Sequence, residues 1–242
     1  MTGPELSMLA VCDGRRAVPL SPAQDFKRAY EGDRGPNTGG MGAYSPVPIA
    51  GDDLVGVVMD RFVEPVLATL RAEGIDYRGA LYAGLMVTPD GLKLVEYNVR
   101  FGDPEAQVVL PRLSSDLVDL LAAAADGDLG SRQPTFIADA AVCVVGAAPG
   151  YPEAPRTGAI IDALDAADDL ADVLVFCAGV DRDVDGRLIS AGGRVLDIVG
   201  FGPTLAVARE RAYEGVRRVG FSGMRFRNDI AAKAAKTEEP CQ

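Results

Sequence analysis

Three residues at alternate positions, Glu96, Asn98 and Arg100, stand in the stretch KLVEYNVRFGDPE. With a period of two they share one side of a strand, and Val95, Tyr97 and Val99 share the other. A carboxylate and an amide carbonyl two residues apart offer hard oxygens of the kind that hold Mg²⁺, an ion that keeps several waters and shares phosphate oxygens with a substrate. A guanidinium two residues on could meet the same phosphate with a two-pronged fork. The alternative is a sheet face turned to water. A second group lies upstream. NTGGMGAYSP (37–46) carries Gly39, Gly40 and Gly42, which permit close approach of backbone N–H groups to an anion. It is neither a P-loop, lacking the terminal G-K-[ST], nor a G-x-G-x-x-G dinucleotide turn. Beside it, QDFKR brings Asp25, Lys27 and Arg28 together, a cluster that also reads as a solvated face.

The elements around these groups follow from pattern. Leu6–Cys12 reads as a strand, Asp13-Gly14 as a turn, and RRAVPLS as the returning strand. Pro22–Pro48 reads as a long loop without regular elements, anchored by Phe26, Tyr30, Met41 and Tyr44. Over 52–73, Val55, Val58, Met59, Phe62, Val66 and Leu70 form a helical stripe with a kink expected at Pro65. YRGALYAGLMVT, a turn at Pro89-Asp90-Gly91, and the strand of Glu96 form a hairpin. Asp103 and Pro104 suit an N-cap and first helical residue, giving a short helix to about Leu113. A second helix is expected from Ser114 or Ser115 to Gly127, then a linker over 128–137. Short Gly-punctuated strands and one long helix (203–220) follow, with a frayed polar tail. The fold class is α+β, expected as residues 1–135, then 136–230, then a tail over 231–242.

Composition removes several chemistries. The 242 residues include no histidine, which excludes imidazole catalysis and His-ligated zinc. The net charge of −11 argues against nucleic acid or an anionic membrane as a partner, although Arg15, Arg16, Lys27, Arg28 and Arg34 form a local basic cluster. Four scattered cysteines form no C-x-x-C pair, no apolar run is long enough to span a membrane, and no signal peptide opens the chain. A cytoplasmic protein is expected.

QDFKRAYEGDRGPNTGGMGAYSPVP, EGIDYRGALYAGLM, VEYNVRFGDPEAQVVLPRL, SDLVDLL and AAVCVV, in this order, resemble the phosphoribosylamine–glycine ligases of the ATP-grasp superfamily. TLAVARERAY and FSGMRFRNDI resemble the C-terminal end of that family. The resemblance implies the larger ATP-grasp subdomain, an antiparallel sheet with helices, followed by a small α+β C-terminal domain. It implies ATP-dependent joining of glycine to 5-phosphoribosylamine through a glycyl phosphate, in purine biosynthesis. Carried residue by residue, Glu96 and Asn98 become ligands to Mg²⁺ or Mn²⁺, and Arg100 the cation at the transferred phosphate. Asp25, Lys27, Arg28, Asn37, Thr38, Gly39, Gly40, Met41 and Gly42 line the substrate pocket. Asp103 and Glu105 orient Arg100 or the glycine amine, and Glu5, in a G-x-E-x-S pattern, lies toward the nucleotide. The chain departs from the family in carrying Phe26 where His is common and in lacking an acid on ALYAGLMVT. It resembles only the C-terminal half, so an isolated chain is expected to be an incomplete enzyme needing a separate N-terminal half. A second reading is a non-catalytic ligand-binding or interaction module for such a half.

Overall fold

The computed structural model describes residues 3–49 and 52–237. In chain order, β1 (Glu5–Asp13) and β2 (Ala17–Pro19) precede four short strands, β3 (Gln24–Asp25), β4 (Arg28–Tyr30), β5 (Arg34–Asn37) and β6 (Gly42–Ser45). Helix α1 (Asp52–Val58) passes through a π turn (Met59–Val63) into α2 (Glu64–Ala72). Strands β7 (Arg78–Thr88) and β8 (Gly91–Asn98) lead to α3 (Ala106–Val109), a 3-10 turn (Leu110–Arg112) and α4 (Leu117–Asp126). The remainder comprises β9 (Ala140–Ala147), β10 (Ile161–Asp162), α5 (Asp165–Asp168), β11 (Val173–Cys177), β12 (Val180–Arg182), β13 (Leu188–Ser190), β14 (Arg194–Gly202), α6 (Leu205–Arg218), β15 (Gly220–Phe221) and α7 (Ala232–Thr237). The chain forms two compact units, one of residues 1–24 and 45–138, the other of 25–44 and 139–242. Residues 25–44, which sequence order assigns to the first region, therefore pack in the second. Among the described residues, no helix is long and apolar enough to cross a membrane.

The first unit is built on an antiparallel sheet ordered β2-β1-β7-β8. From Leu6 to Asp13 every residue of β1 is buried, as suits an inner strand covered on both faces. The turn after it is closed by Asp13, whose carboxylate accepts the amides of Arg15 (2.8 Å), Arg16 (2.6 Å) and Leu129 (3.0 Å). Burial alone would raise its pKa. The three amides and the nearby Arg16 charge outweigh that and hold the carboxyl below its ordinary range.

Three expectations are corrected here. The helix over 52–72 does not simply kink at Pro65. It widens one turn earlier, where the Glu64 amide reaches back to the Met59 carbonyl. Proline cannot donate and its ring crowds the preceding turn, so the distortion falls ahead of it, leaving Pro65 in the first turn of α2. Asp103 does not cap a helix: α3 starts at Ala106 with Glu105 at the capping position and no side-chain cap. The Asp103 carboxylate instead accepts from Gln107 Nε2 at 3.1 Å. The segment 128–137 is no free linker. Leu129 is fully buried, Phe136 bridges Leu113, and the Ile137 amide donates to Arg112 O at 2.8 Å. Buried Arg112 donates to the Ser21 and Ser45 hydroxyls at 2.8 and 2.7 Å, with Phe136 against its guanidinium. Helix α4 starts at Leu117, capped by Asp116, and stops at Gly127 in the left-handed region.

The second unit centres on a five-stranded sheet ordered β11-β14-β9-β6-β3, with β9 buried throughout. Helix α6, capped by Thr204, lies so close to β14 that a Cβ on Gly200 would stand 2.3 Å from Ala208 O. Pro22–Pro48 is not the irregular loop expected. It contributes β3 to β6, each two to four residues long, and β6 is ordered by its sheet neighbour β9, about a hundred residues on, which a local pattern cannot show. Helix α7 covers part of the stretch expected to fray, and residues 238–242, with Cys241, lie outside the described residues.

Candidate functional site

Residues directly opposite in an antiparallel pair share a face. Ser7 pairs with Gly84 and Gly84 with Glu96, while Leu9 pairs with Tyr82 and Tyr82 with Asn98. One face of the first unit's sheet thus carries Glu5, Ser7, Tyr82, Glu96 and Asn98. Glu105 reaches the same groups from the turn before α3. Its Oε1 accepts the Ser7 hydroxyl at 3.0 Å and the Tyr82 hydroxyl at 2.9 Å, and these two hydroxyls are 2.9 Å apart. Ser7, Tyr82 and Glu105 are all buried. Gly102 makes this fold-back possible, since a Cβ there would meet Glu105 Oε2 at 2.4 Å. Tyr82 is the polar group here that sequence reasoning passed over. Its signal was present, a hydroxyl opposite Asn98 on the paired strand, but only the register exposes it.

Glu96 and Asn98 lie together at the end of β8, with Asn98 Nδ2 donating to Glu96 Oε1 at 3.0 Å. This orientation leaves the Asn98 carbonyl oxygen and Glu96 Oε2 as acceptors. The expected row of three is corrected. β8 ends at Asn98, and Arg100 lies in the following bend, exposed, with Nη1 donating to Phe101 O at 2.9 Å. The expected apolar face also fails. A bulge leaves Val95 unmatched between Leu94 and Glu96, and Val95 and Val99 are 47% and 74% exposed. Only Tyr97 turns inward, its hydroxyl donating to Phe62 O at 2.6 Å, and burial pushes its pKa up.

The other predicted residues belong to the second unit. Asp25 is buried and accepts from Lys27 Nζ at 2.6 Å. Arg28, exposed, donates to Gly35 O at 2.9 Å. The glycine loop is held by its own unit. Thr38 N donates to Lys27 O (2.7 Å), Gly39 N to Tyr151 Oη (2.9 Å), Gly40 N to Thr38 Oγ1 (3.0 Å) and Met41 N to Phe26 O (2.8 Å). These four amides are engaged, so the glycines serve close approach within the protein. A Cβ on Gly42 would lie 2.6 Å from Cys143 O, and one on Gly39 2.9 Å from the Arg194 guanidinium, which donates to Gly39 O at 3.0 Å. The 25–37 segment is tied down by Arg227, whose side chain is 1% exposed. It meets both oxygens of Asp229 at 2.7 Å, Asp33 at 3.0 Å and Arg28 O at 3.0 Å, and sits over the Phe26 ring.

The first unit's hairpin sheet ends in Glu-x-Asn, the second unit has its own sheet and long helix, and this fold class is shared by solved ATP-dependent enzymes. Solved structures with this fold include the biotin carboxylase domain of the Hydrogenobacter thermophilus 2-oxoglutarate carboxylase (13% identity, TM-score 0.64, covering 99% of this chain and 54% of that one). N5-carboxyaminoimidazole ribonucleotide synthetase from Thermotoga maritima is another (11%, TM-score 0.60, 91% and 53%). Family models narrow the class. Residues 1–106 match the phosphoribosylglycinamide synthetase ATP-grasp (A) domain, and 141–233 the C domain of the same synthetase. The chain belongs to this family. The phosphoribosylamine–glycine ligases of Caulobacter vibrioides and Streptomyces coelicolor are 51% and 50% identical to it over 97% of its length. The T. maritima phosphoribosylamine–glycine ligase structure superposes with a TM-score of 0.85 at 40% identity, over 96% of this chain. The chain spans about half the length of these relatives: 55% and 57% of the two curated ones and 56% of the structure.

Proposed function

We propose that the chain carries one jaw of an ATP-dependent ligase that joins glycine to 5-phosphoribosylamine. The observation that carries the reading is the sheet face of the first unit, where Glu96 and Asn98 present two hard oxygens beside the buried Ser7–Tyr82–Glu105 network. Among the described residues there is no cluster of three or more His, Cys, Asp or Glu that could hold a metal. Two protein oxygens suit Mg²⁺ or Mn²⁺ whose other ligands are water and nucleotide phosphates, so the donor set fits. Such an ion, when bound, neutralises phosphate charge.

The reaction has two steps. A glycine carboxylate oxygen attacks the γ-phosphorus of ATP and ADP leaves, giving glycyl phosphate. The phosphoribosylamine nitrogen then attacks the carbonyl carbon, phosphate leaves, and the nitrogen loses a proton. Residues in such a site chiefly position reactants and balance charge. Arg100, exposed just past the end of β8, takes the role of cation at the transferred phosphoryl group. Glu105, fixed by Ser7 and Tyr82, and Asp103 orient Arg100 or the glycine ammonium, while Glu5 lies toward the nucleotide. In the second unit, Asp25, Lys27, Arg28 and the 37–42 loop form the substrate wall. ATP-grasp enzymes close on nucleotide with two subdomains, so the reading includes a complementary ATP-grasp subdomain as partner and a cytoplasmic setting.

The test has two parts. Mn²⁺ binding, followed by electron paramagnetic resonance with ATP present, is expected to weaken about tenfold or more in Glu96→Gln and Asn98→Ala. ADP formation dependent on both glycine and phosphoribosylamine is expected when the chain is supplied with the complementary subdomain, and little without it. Unchanged Mn²⁺ binding in both variants, or robust turnover by the chain alone, would sink the proposal.

A further inference from the structure

A small basin lies wholly within the first unit, away from the face of Glu96 and Asn98. It holds about 260 Å³ between α2 and the β1–β2 turn. Arg15, Arg16 and Arg71 wall it, with Glu64 as its one acid and Leu67 and Ala68 as its apolar side. The helix of α1 and α2 packs on the sheet face that Tyr97 enters, the reverse of the one that carries Glu96 and Asn98. Along β1, Asp13 comes six residues after Ser7, about 20 Å at roughly 3.3 Å per residue.

Among the described residues, none of these three arginines makes an ion pair. Arg71 Nη1 donates to Arg15 O at 3.3 Å, which draws its guanidinium over the turn. The Arg16 charge bears on Asp13, but that carboxylate is spent on three backbone amides. Arg15 and Arg71 also wall an adjoining cleft of about 500 Å³, whose acids are Asp13, Asp76 and Asp126, and there Arg78 takes Asp76 at 2.9 Å. The small basin therefore gathers three positive charges against one negative charge, on a chain that carries 35 acids to 24 bases. Like charges gathered without a counter-ion repel, and a bound anion relieves that repulsion.

We propose that this basin binds a compact inorganic oxyanion with two or more negative charges, diphosphate before phosphate, held by Arg15, Arg16 and Arg71. Guanidinium forks match pairs of phosphate oxygens, and three forks suit two phosphorus centres better than one. The volume lies below the roughly 300 Å³ at which pockets for drug-sized ligands begin, so the basin fits a bare ion rather than a ring-bearing molecule. Glu64 opposes the anion and sets the affinity below what the arginines alone would give. The site shares no residue with the metal-type face or the substrate wall, so its failure would leave the ligase reading untouched.

The test is calorimetric titration of the chain, in metal-free buffer at low ionic strength, with diphosphate, phosphate and citrate. Diphosphate is expected to bind about tenfold or more tightly than phosphate, and more tightly than citrate, whose charges sit on carboxylates. Arg15→Gln and Arg71→Gln are each expected to weaken diphosphate about tenfold or more, the loss typical of a hydrogen bond to a charged group. Neither arginine makes an ion pair, so both variants should melt with the wild type, which the same preparations can verify. Glu64→Gln should tighten diphosphate several-fold, because the one opposing charge is gone. No diphosphate binding at about 10 mM, citrate bound as tightly as diphosphate, affinity indifferent to both arginine variants, or weaker binding by Glu64→Gln would each overturn the proposal.

Discussion

Replacing Arg227 with methionine should release residues 25–37 from the second unit. The guanidinium is 1% exposed and makes four contacts at 2.7–3.0 Å with Asp229, Asp33 and the Arg28 carbonyl, over the face of Phe26. Breaking a buried pair by removing one partner costs about 3–5 kcal/mol. The partner carboxylates are not themselves buried, at 31% exposed for Asp229 and 63% for Asp33, so water recovers part of their solvation. Methionine also keeps some packing on Phe26. The loss should lie at the low end, about 3 kcal/mol at pH 7. Burial raises the pKa of Asp229, but Arg227 and the Gly32 amide outweigh it and hold the carboxyl below its ordinary value. A depressed folded pKa gives stability that is present above the unfolded value, near 3.9, and lost as pH falls through the folded one. The gap between wild type and variant should therefore narrow below about pH 4. Urea denaturation of both proteins at pH 7 and pH 3 measures the gap. Trypsin cleavage after Arg28 or Arg34 gives a local readout, expected to quicken about a hundredfold for a 3 kcal/mol fall in opening cost. A gap under about 1 kcal/mol at pH 7, or one that widens in acid, would refute the reasoning.

Other outcomes follow from single interactions. Tyr82→Phe removes one of two hydroxyls on Glu105 Oε1 and should cost about 1 kcal/mol in urea denaturation, while lowering ligation in the reconstituted assay more than this loss explains. Asp13→Asn leaves three amides facing a weaker acceptor and should cost about 1–3 kcal/mol at pH 7, with the difference fading as pH falls through the depressed Asp13 pKa. Burial, with the Asp13 charge adding to it, pushes the Cys12 thiol up to about 12, so peptide mapping after iodoacetamide at pH 8 should find exposed Cys177 alkylated and Cys12 intact. Gly42→Ala should cost about 1–3 kcal/mol in thermal or urea unfolding, because its Cβ would enter the space of Cys143 O.

Much of the site's composition was legible in one dimension. Strict alternation gave the β7–β8 hairpin and put Glu96 and Asn98 on one face, because side-chain direction in a strand depends only on local parity. The resemblance of KLVEYNVRFGDPE and NTGGMGAYSP to a ligase family was likewise carried by local strings, and the family models match the same chain. Parity stops being reliable where pairing is irregular. The bulge at Val95 and the end of β8 at Asn98 removed Arg100 from the row and exposed two valines, and both depend on how β8 meets β7. The glycine loop shows the same limit. Its glycines suggested amides open to an anion, yet the Gly39 amide donates to Tyr151, 112 positions on, and the Gly40 amide to the Thr38 hydroxyl, while the flanking Thr38 and Met41 amides go to Lys27 and Phe26.

The sequence by itself supplied the family, through local strings such as NTGGMGAYSP and EYNVRFGDPE that need no tertiary partner to be recognised, whereas the spacing of Glu96, Asn98 and Arg100 alone left a solvated sheet face as the alternative. It determined the hairpins and the long helix as well, whose signals repeat within ten or so residues. Only the tertiary structure decided that residues 25–44 pack with 139–242, that Glu105 is clasped by Ser7 and Tyr82, and that Arg227 is the tie for the 25–37 segment. The residues in those contacts stand from 23 to about 200 positions apart. Burial and hydrogen bonding are properties of neighbours in space, and at such separations local pattern carries no record of them.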